Sequence, residues 1–133
     1  MKYYLLIFIL VISGCNTIPD KTNKSYVVTG FKNGYAQVKN VLIKPDSVTE
    51  LEWQIGLLIK RRITKKNQCL IQSKVYAWLL GGNAKVMSNG HHAFVVKDGK
   101  IYDSTHMDLT GYSIDNEYVK EYYGDVSTWK IRK

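Results

Sequence analysis

The chain has 133 residues, a length that suits one domain with a modest core. Its formal net charge is +8, but it contains no run of five or more like charges, so a solvated basic surface is the simplest interpretation. Attraction to anionic lipid head groups is the alternative. The sequence contains no DNA- or RNA-binding motif, and nucleic acid is therefore not an expected partner.

The N-terminus has the pattern of a secretory signal peptide. One positive charge, Lys2, precedes an apolar run over residues 3–12, and two small residues then lead to Cys15. The run is too short for a membrane span, which takes about 20 apolar residues. The Ile-Ser-Gly-Cys segment that ends at Cys15 resembles the lipobox of bacterial lipoproteins. This resemblance implies that residues 1–14 are removed and that Cys15 carries lipid.

The residue after the cysteine indicates the membrane to which the lipoprotein is sorted. Asn16 stands where an aspartate would mark inner-membrane retention in the enterobacterial sorting pattern. The resemblance therefore implies a protein on the periplasmic side of the envelope, anchored through lipid, with the outer membrane favoured. Residues 15–25 are polar and aperiodic, which predicts a flexible tether, and residues 26–133 are the expected single folded domain.

The first predicted elements are a hairpin and a helix. Two β-rich runs, residues 26–31 and 35–43, flank an Asn-Gly pair that favours a tight reversal. Ser47 and Glu50 then have the spacing of a capping box, which predicts a helix from there to about Arg62. Three- and four-residue steps predict its buried face, which comprises Val48, Leu51, Ile55, Leu58 and Ile59.

A second helix is predicted from about Gln68 to Leu80, with Asn67 as its N-cap and two glycines after its end. Its expected buried residues are Ile71, Val75, Trp78 and Leu79. Short strands are predicted over residues 84–87, 92–96, 101–105 and 126–131, and a short helix ends at Gly124 after a cap at Ser113 or Asp115. Helices and antiparallel strands in this order predict an α+β domain.

Cys69 is the one thiol left if Cys15 carries lipid, so it cannot form an intramolecular disulfide. The first turn of a helix favours a thiolate through its unpaired amide groups, and Lys65 and Lys66 lie close by in sequence. A small buried hydrophobe is the alternative role for such a residue.

A base and an orienting partner are expected on the hairpin around Asp98-Gly99. With a two-residue turn, His92 and Asp103 become diagonal neighbours on one face, within about 7–8 Å at the backbone. With a three-residue, bulged turn, His91 would share that face instead. The choice between the two histidines therefore depends on the turn.

These residues together resemble a known family. Helix-borne Cys69, the run His-Ala-Phe-Val-Val from His92, and Tyr-Asp-Ser-Thr around Asp103 resemble transglutaminase-like cysteine proteinases of the papain-like superfamily. The resemblance implies a papain-like core, with the nucleophile helix packed on an antiparallel sheet. It also implies that Cys69 is the nucleophile, His92 the general base and acid, and Asp103 the residue that orients the imidazole.

The chain departs from the family pattern at one functional position. Ile63 stands where papain-type enzymes carry the glutamine that stabilises the oxyanion. Gln68, Gln54 or the backbone amide of Cys69 are the candidate substitutes. Histidines and aspartates lie close together between residues 91 and 108, but without the paired spacing typical of zinc sites, so neither metal nor cofactor is expected.

Two functions follow from these patterns as hypotheses. The first is a cysteine peptidase or amidase that acts on a peptide, protein or peptidoglycan-type substrate. The second is a catalytically silent lipoprotein that uses the same fold as a binding scaffold for an envelope partner.

Overall fold

The computed structural model describes residues 17–19 and 22–132. In this part of the chain the fold is mixed α+β, with three α-helices and two antiparallel sheets. The chain divides into two compact units, Met1–Ile43 and Lys44–Lys133. Residues 26–133, expected as one domain, span part of the first unit and all of the second. The signal peptide and the lipidation site Cys15 lie outside the described residues. None of the described helices has the length and apolar character needed to cross a membrane.

The first unit contains a three-stranded antiparallel sheet in the order β1-β2-β3. Its strands are β1 (Thr17–Pro19), β2 (Lys24–Lys32) and β3 (Tyr35–Leu42). The predicted hairpin is confirmed, with Lys32 opposite Tyr35 across the Asn-Gly turn. The range predicted as a flexible tether, residues 15–25, contains β1, which pairs with β2. Three residues are too few to show a period in sequence, although backbone pairing makes them a strand.

The second unit contains the remaining elements. In chain order these are α1 (Glu50–Arg62), α2 (Cys69–Leu80), β4 (Lys85–Ser88), β5 (Ala93–Lys97), β6 (Lys100–Tyr102), a 3-10 turn (Met107–Leu109), α3 (Glu117–Tyr123), a second 3-10 turn (Val126–Thr128) and β7 (Lys130–Arg132). The predicted final strand over 126–131 is thus a 3-10 turn followed by a shorter strand.

Helix α1 begins two residues later than the Ser47 cap predicts. Thr49 and Glu52 form the capping box, in which each side chain accepts a hydrogen bond from the other residue's backbone amide. The Ser47 hydroxyl instead donates to the Gly111 carbonyl at 3.1 Å. Both pairs have the right spacing in sequence, and the tertiary contact with Gly111 decides which of them caps the helix.

The predicted buried face of α1 is wrong at Leu51 and Leu58, which are 71% and 47% exposed. The buried helical positions are Trp53, Gly56 and Ile59. A methyl group on Gly56 would lie 2.6 Å from the Tyr76 hydroxyl, so the absence of a side chain lets the helix pack closely on this side.

Helix α2 also presents a different face from the one predicted. Trp78 is 80% exposed, and Ile71 and Leu79 are exposed as well. The buried residues are Gln72, Ser73 and Tyr76, which carry polar groups. The Tyr76 hydroxyl donates to the Glu52 carbonyl at 2.8 Å, a bond that joins α2 to α1. Burial of these polar side chains is tolerated because they have hydrogen-bond partners.

The sheet of this unit has the order β6-β5-β4-β7, and α2 packs on its central strand β5. Each residue of β5 from Ala93 to Val95 is buried, as expected for a strand covered on both faces. One side carries an aromatic and aliphatic cluster, which comprises Phe94, Ile101, Val119, Val126 and Trp129. The sheet places the residues just before β5 next to the start of α2, and those just after β6 lie beside them.

Candidate active site

Cys69 is the first residue of α2, so it lies in the first turn as predicted, and the helix begins one residue after the predicted start at about Gln68. Gln68 rather than Asn67 is the N-cap residue, and it caps without a side-chain hydrogen bond. Asn67 instead has a φ of 62°, a left-handed conformation that asparagine tolerates better than most residues and that turns the chain into the helix. The Cys69 thiol is half-buried and unpaired, and its Sγ donates to the His91 carbonyl oxygen at 3.9 Å. The thiol therefore lies against the peptide unit that joins His91 to His92.

The hairpin register is the one expected for a two-residue turn. Asp98 and Gly99 have φ values of 53° and 73°, and Lys97 pairs with Lys100. His92 Nε2 lies 2.7 Å from Asp103 Oδ2, as this register predicts. The structure therefore pairs His92, not His91, with the carboxylate.

Asp103 is fixed by hydrogen bonds to both of its carboxylate oxygens. The Tyr123 hydroxyl donates to Oδ2 at 2.6 Å, beside His92, and the backbone amides of Thr105 and His106 donate to Oδ1. The residue is 1% exposed. Burial, together with the adjacent Asp103 carboxylate, raises the pKa of Tyr123, so its hydroxyl remains a donor well above neutral pH. The carboxylate has one orientation and a complete set of partners.

The His92 ring is held by its surroundings as well as by Asp103. Its plane stacks on the Tyr123 ring, with centroids 5.7 Å apart and an interplanar angle of 14°. The Asn89 side-chain oxygen accepts hydrogen bonds from the backbone amides of both His91 and His92, each at 2.8 Å. Because Nε2 bonds Asp103, Nδ1 is the ring nitrogen that remains for acid–base chemistry.

His106 lies beside this pair, with its ring centroid 5.3 Å from that of His92. Burial lowers the pKa of His106, and the His92 ring acts in the same direction while Asp103 opposes it. The ligand atoms of His92, Asp103 and His106 lie within 4.8 Å of one another, which is a composition that metal sites use. In the observed geometry, however, two of those atoms, His92 Nε2 and Asp103 Oδ2, are hydrogen-bonded to each other at 2.7 Å.

The two glutamines expected as oxyanion donors have different positions. Gln68 lines the same cleft as Cys69. Gln54 does not line it, because it lies on the exposed side of α1, where its amide donates to the Glu50 carboxylate. The prediction of Gln54 as a site residue is therefore wrong, since its helix turns that side chain toward solvent.

Gln72 belongs to the site, although the sequence did not predict it as a site residue. Its carbonyl oxygen accepts from the Ser104 and Thr105 hydroxyls at 2.9 Å each, and its amide donates to the Ile63 carbonyl. It thereby ties the helix that carries Cys69 to the residues that follow Asp103. The signal in the sequence was its spacing, since a residue three positions after Cys69 lies on the same helix face.

A cleft of about 390 Å³ joins these groups. Cys69, His91, His92, Gln68 and Gln72 line it, together with Thr105 and the segment that connects α1 to α2. His92 is 21% exposed at its side chain and Asp103 only 2%, so the imidazole reaches the cleft while the carboxylate stays behind it. The cleft thus brings together a thiol and an imidazole that is paired with a buried carboxylate, the kinds of group that cysteine-based nucleophilic catalysis uses.

Comparisons of the chain with protein-family models, with curated proteins and with solved structures give no match.

Proposed function

We propose that this protein is a lipid-anchored cysteine hydrolase with a papain-like, transglutaminase-like core, which cleaves an amide bond with Cys69, His92 and Asp103. The observation that carries the proposal is the hydrogen-bonded His92–Asp103 pair, whose imidazole opens on the same cleft as the Cys69 thiol. The packing of the Cys69 helix on the antiparallel sheet supports the papain-like core.

The proposed reaction begins when the Cys69 thiol gives its proton to His92 Nδ1 and attacks the carbonyl carbon of the substrate. A C–S bond forms, the amide C–N bond breaks, and His92 returns the proton to the leaving amine. Water then attacks the thioester while His92 accepts its proton, and the C–S bond breaks to release the acid. Asp103 holds the imidazole throughout and stabilises its positive charge.

Two donors are available for the oxyanion that forms on the carbonyl oxygen. The backbone amide of Cys69 is at the start of α2, where helical amides have no carbonyl partner within the helix. The Gln68 side chain lines the same cleft. Either donor would serve in place of the glutamine that Ile63 replaces.

The proposed location is the periplasmic side of the cell envelope, with the outer membrane favoured, through lipid on Cys15. The membrane is then one partner, and the substrate is a peptide, a protein or a peptidoglycan-type amide. This part of the proposal depends on the N-terminal sequence pattern alone.

The test is alkylation of the full-length chain with Cys15→Ala, in which Cys69 is the only thiol. At a pH near 5.5 an ordinary thiol of pKa about 8.5 is only about 0.1% ionised, so rapid reaction with iodoacetamide indicates an activated thiol. We expect rapid reaction, and a loss of about tenfold or more in His92→Ala. His91→Ala is the matched control, because it removes the neighbouring imidazole and keeps the backbone carbonyl near Sγ. Equal rates in both variants would contradict the triad.

A binding scaffold is the second candidate. It is favoured by the exposed large apolar side chains on the outer faces of α1 and α2, namely Leu51, Leu58, Ile71 and Trp78. Where exposed apolar side chains form one large contiguous patch, that patch marks a surface that binds a partner. Complementation of a deletion strain by Cys69→Ala would favour the scaffold, whereas loss of activity in that variant would favour the hydrolase.

A further inference from the structure

We propose that the Cys69 cleft selects substrates that carry a negative charge next to the reacting amide, such as an acidic peptide or an amide with a free carboxylate. This inference rests on the proposed function, because it names the substrate class of the same site. It is carried by the charges around the cleft.

Three lysines line the cleft, and they come from two adjoining parts of the chain. Lys60 lies in the last turn of α1, while Lys65 and Lys66 lie in the connection to α2. No aspartate or glutamate is among the residues that line this cleft in the described part of the chain. The cleft therefore presents cations without a compensating anion, which raises the local concentration of anionic ligands.

Asp103 is the carboxylate that lies behind His92, and among the described residues it forms its ion pair with that histidine and not with a lysine. Both oxygens of Asp103 accept hydrogen bonds from His92, Tyr123 and two backbone amides, and the residue is buried behind the histidine. It has no free acceptor for a positively charged substrate group either. A substrate with an ammonium group beside the scissile bond would therefore meet three lysines and no free carboxylate in this cleft.

The cleft lysines differ from the lysines that the fold uses. Lys97 pairs with Glu52 and donates to a helix carbonyl, and Lys100 donates to the Ser47 carbonyl at 2.7 Å. Neither Lys60 nor the two lysines of the connection forms an ion pair with a carboxylate among the described residues. Their charges are therefore not compensated by an ion pair within the described part of the chain, and they are available to a ligand.

The test compares two alkylating reagents of nearly equal size that differ in charge. Iodoacetate is an anion and iodoacetamide is neutral, and both alkylate a thiol by the same displacement of iodide. In the full-length Cys15→Ala protein both report on Cys69 alone. The measured quantity is the ratio of the iodoacetate rate to the iodoacetamide rate, divided by the same ratio for 2-mercaptoethanol.

We expect this normalised ratio to be about fivefold or more at low salt and to approach one near 1 M salt, where the screening length is about 3 Å. Lys65→Gln/Lys66→Gln should lower the low-salt ratio at least threefold. Lys74→Gln/Lys85→Gln is the matched control, because it removes the same charge from residues that line a different cleft. An unchanged ratio in the first variant, or an equal fall in both variants, would overturn the proposal.

The outcome is separable from that of the proposed function. The normalised ratio measures the potential at the Cys69 sulfur whether or not His92 activates it. The absolute iodoacetamide rate and its dependence on His92 measure activation. An inert thiol with a high, lysine-dependent ratio would refute the hydrolase and keep the preference of the cleft for anions, while an activated thiol with a ratio near one would do the reverse.

Discussion

Replacement of Tyr123 by phenylalanine removes one hydroxyl group and leaves the aromatic ring in place. That hydroxyl donates to Asp103 Oδ2 at 2.6 Å, the shortest contact that the carboxylate makes. The ring stacks on His92 and lies 4.9 Å from the Phe94 centroid, and both contacts survive the substitution. The change therefore isolates a single hydrogen bond to a buried carboxylate.

The expected loss of stability follows from the charge of the acceptor, the Asp103 carboxylate. A hydrogen bond to a charged group contributes about 1.5–3 kcal/mol, and the substitution opens no cavity of consequence, so the free energy of unfolding should fall by about 2 kcal/mol. The His92 bond to the same oxygen then remains as the only side-chain contact with it. We also expect the iodoacetamide rate of Cys69 to fall, because the carboxylate that orients His92 is less firmly held.

Urea unfolding followed by far-UV circular dichroism measures this change. Tryptophan fluorescence is a poor probe here, because the Trp129 ring lies 5.7 Å from that of Tyr123. Tyr122→Phe is the matched control, since its hydroxyl lies on the exposed side near His106 and has no contact with Asp103. Equal losses of stability in the two variants, or a loss below about 0.5 kcal/mol in Tyr123→Phe, would refute the reasoning.

Three further outcomes are expected. Because burial lowers the pKa of His106, the native state binds its proton more weakly than the unfolded chain does, so stability in urea should fall as the pH drops below about 6.5. His106→Gln should flatten that dependence, and an unchanged slope would contradict it. Gly111→Ala should lower the free energy of unfolding by about 2–5 kcal/mol, because the new Cβ would lie 2.6 Å from the Val48 side chain at a φ of 96°. Gly30→Ala is the control and should be near neutral in the same denaturation assay, because its Cβ would meet no atom within 4 Å. Thr49→Ala should lower the free energy of unfolding by about 1 kcal/mol, because it removes the capping box. Thr49→Ser keeps the hydroxyl and should retain most of that stability, so equal stability of the two variants would contradict the assigned cap.

The local features of the site were predictable from the sequence because each depends on nearby residues. The Asp98-Gly99 pair determines the turn, the turn determines the register, and the register brings His92 to Asp103. The start of α2 at Cys69 likewise follows from the polar connection before it. Over these short separations, backbone geometry leaves few alternatives.

The helix faces were not predictable by the same means. Apolar periodicity predicts that the apolar side chains are the buried ones, but α2 buries Gln72, Ser73 and Tyr76 and exposes Trp78. Those polar residues are buried because distant groups satisfy them, such as the Ser104 hydroxyl on Gln72 and the Glu52 carbonyl on Tyr76. Periodicity within one helix contains no information on such partners.

The contribution of Tyr123 to the site was missed for a related reason. It lies 20 residues after Asp103 and reaches it only because α3 packs on the apolar cluster that contains Phe94 and Trp129. The sequence shows a tyrosine near the end of a short helix and nothing that directs it to a carboxylate.

The turn at Asp98-Gly99 also limits how the length of this chain can change during evolution. Alternate residues of β5 face opposite sides, so one residue inserted there would either bulge out of the sheet or exchange the faces of the two histidines. An insertion in the connection between α1 and α2 has no such effect, because that segment lies on the surface with no strand register to maintain. Descendants of this sequence should therefore differ in length before Cys69 and keep a fixed distance between His92 and Asp103.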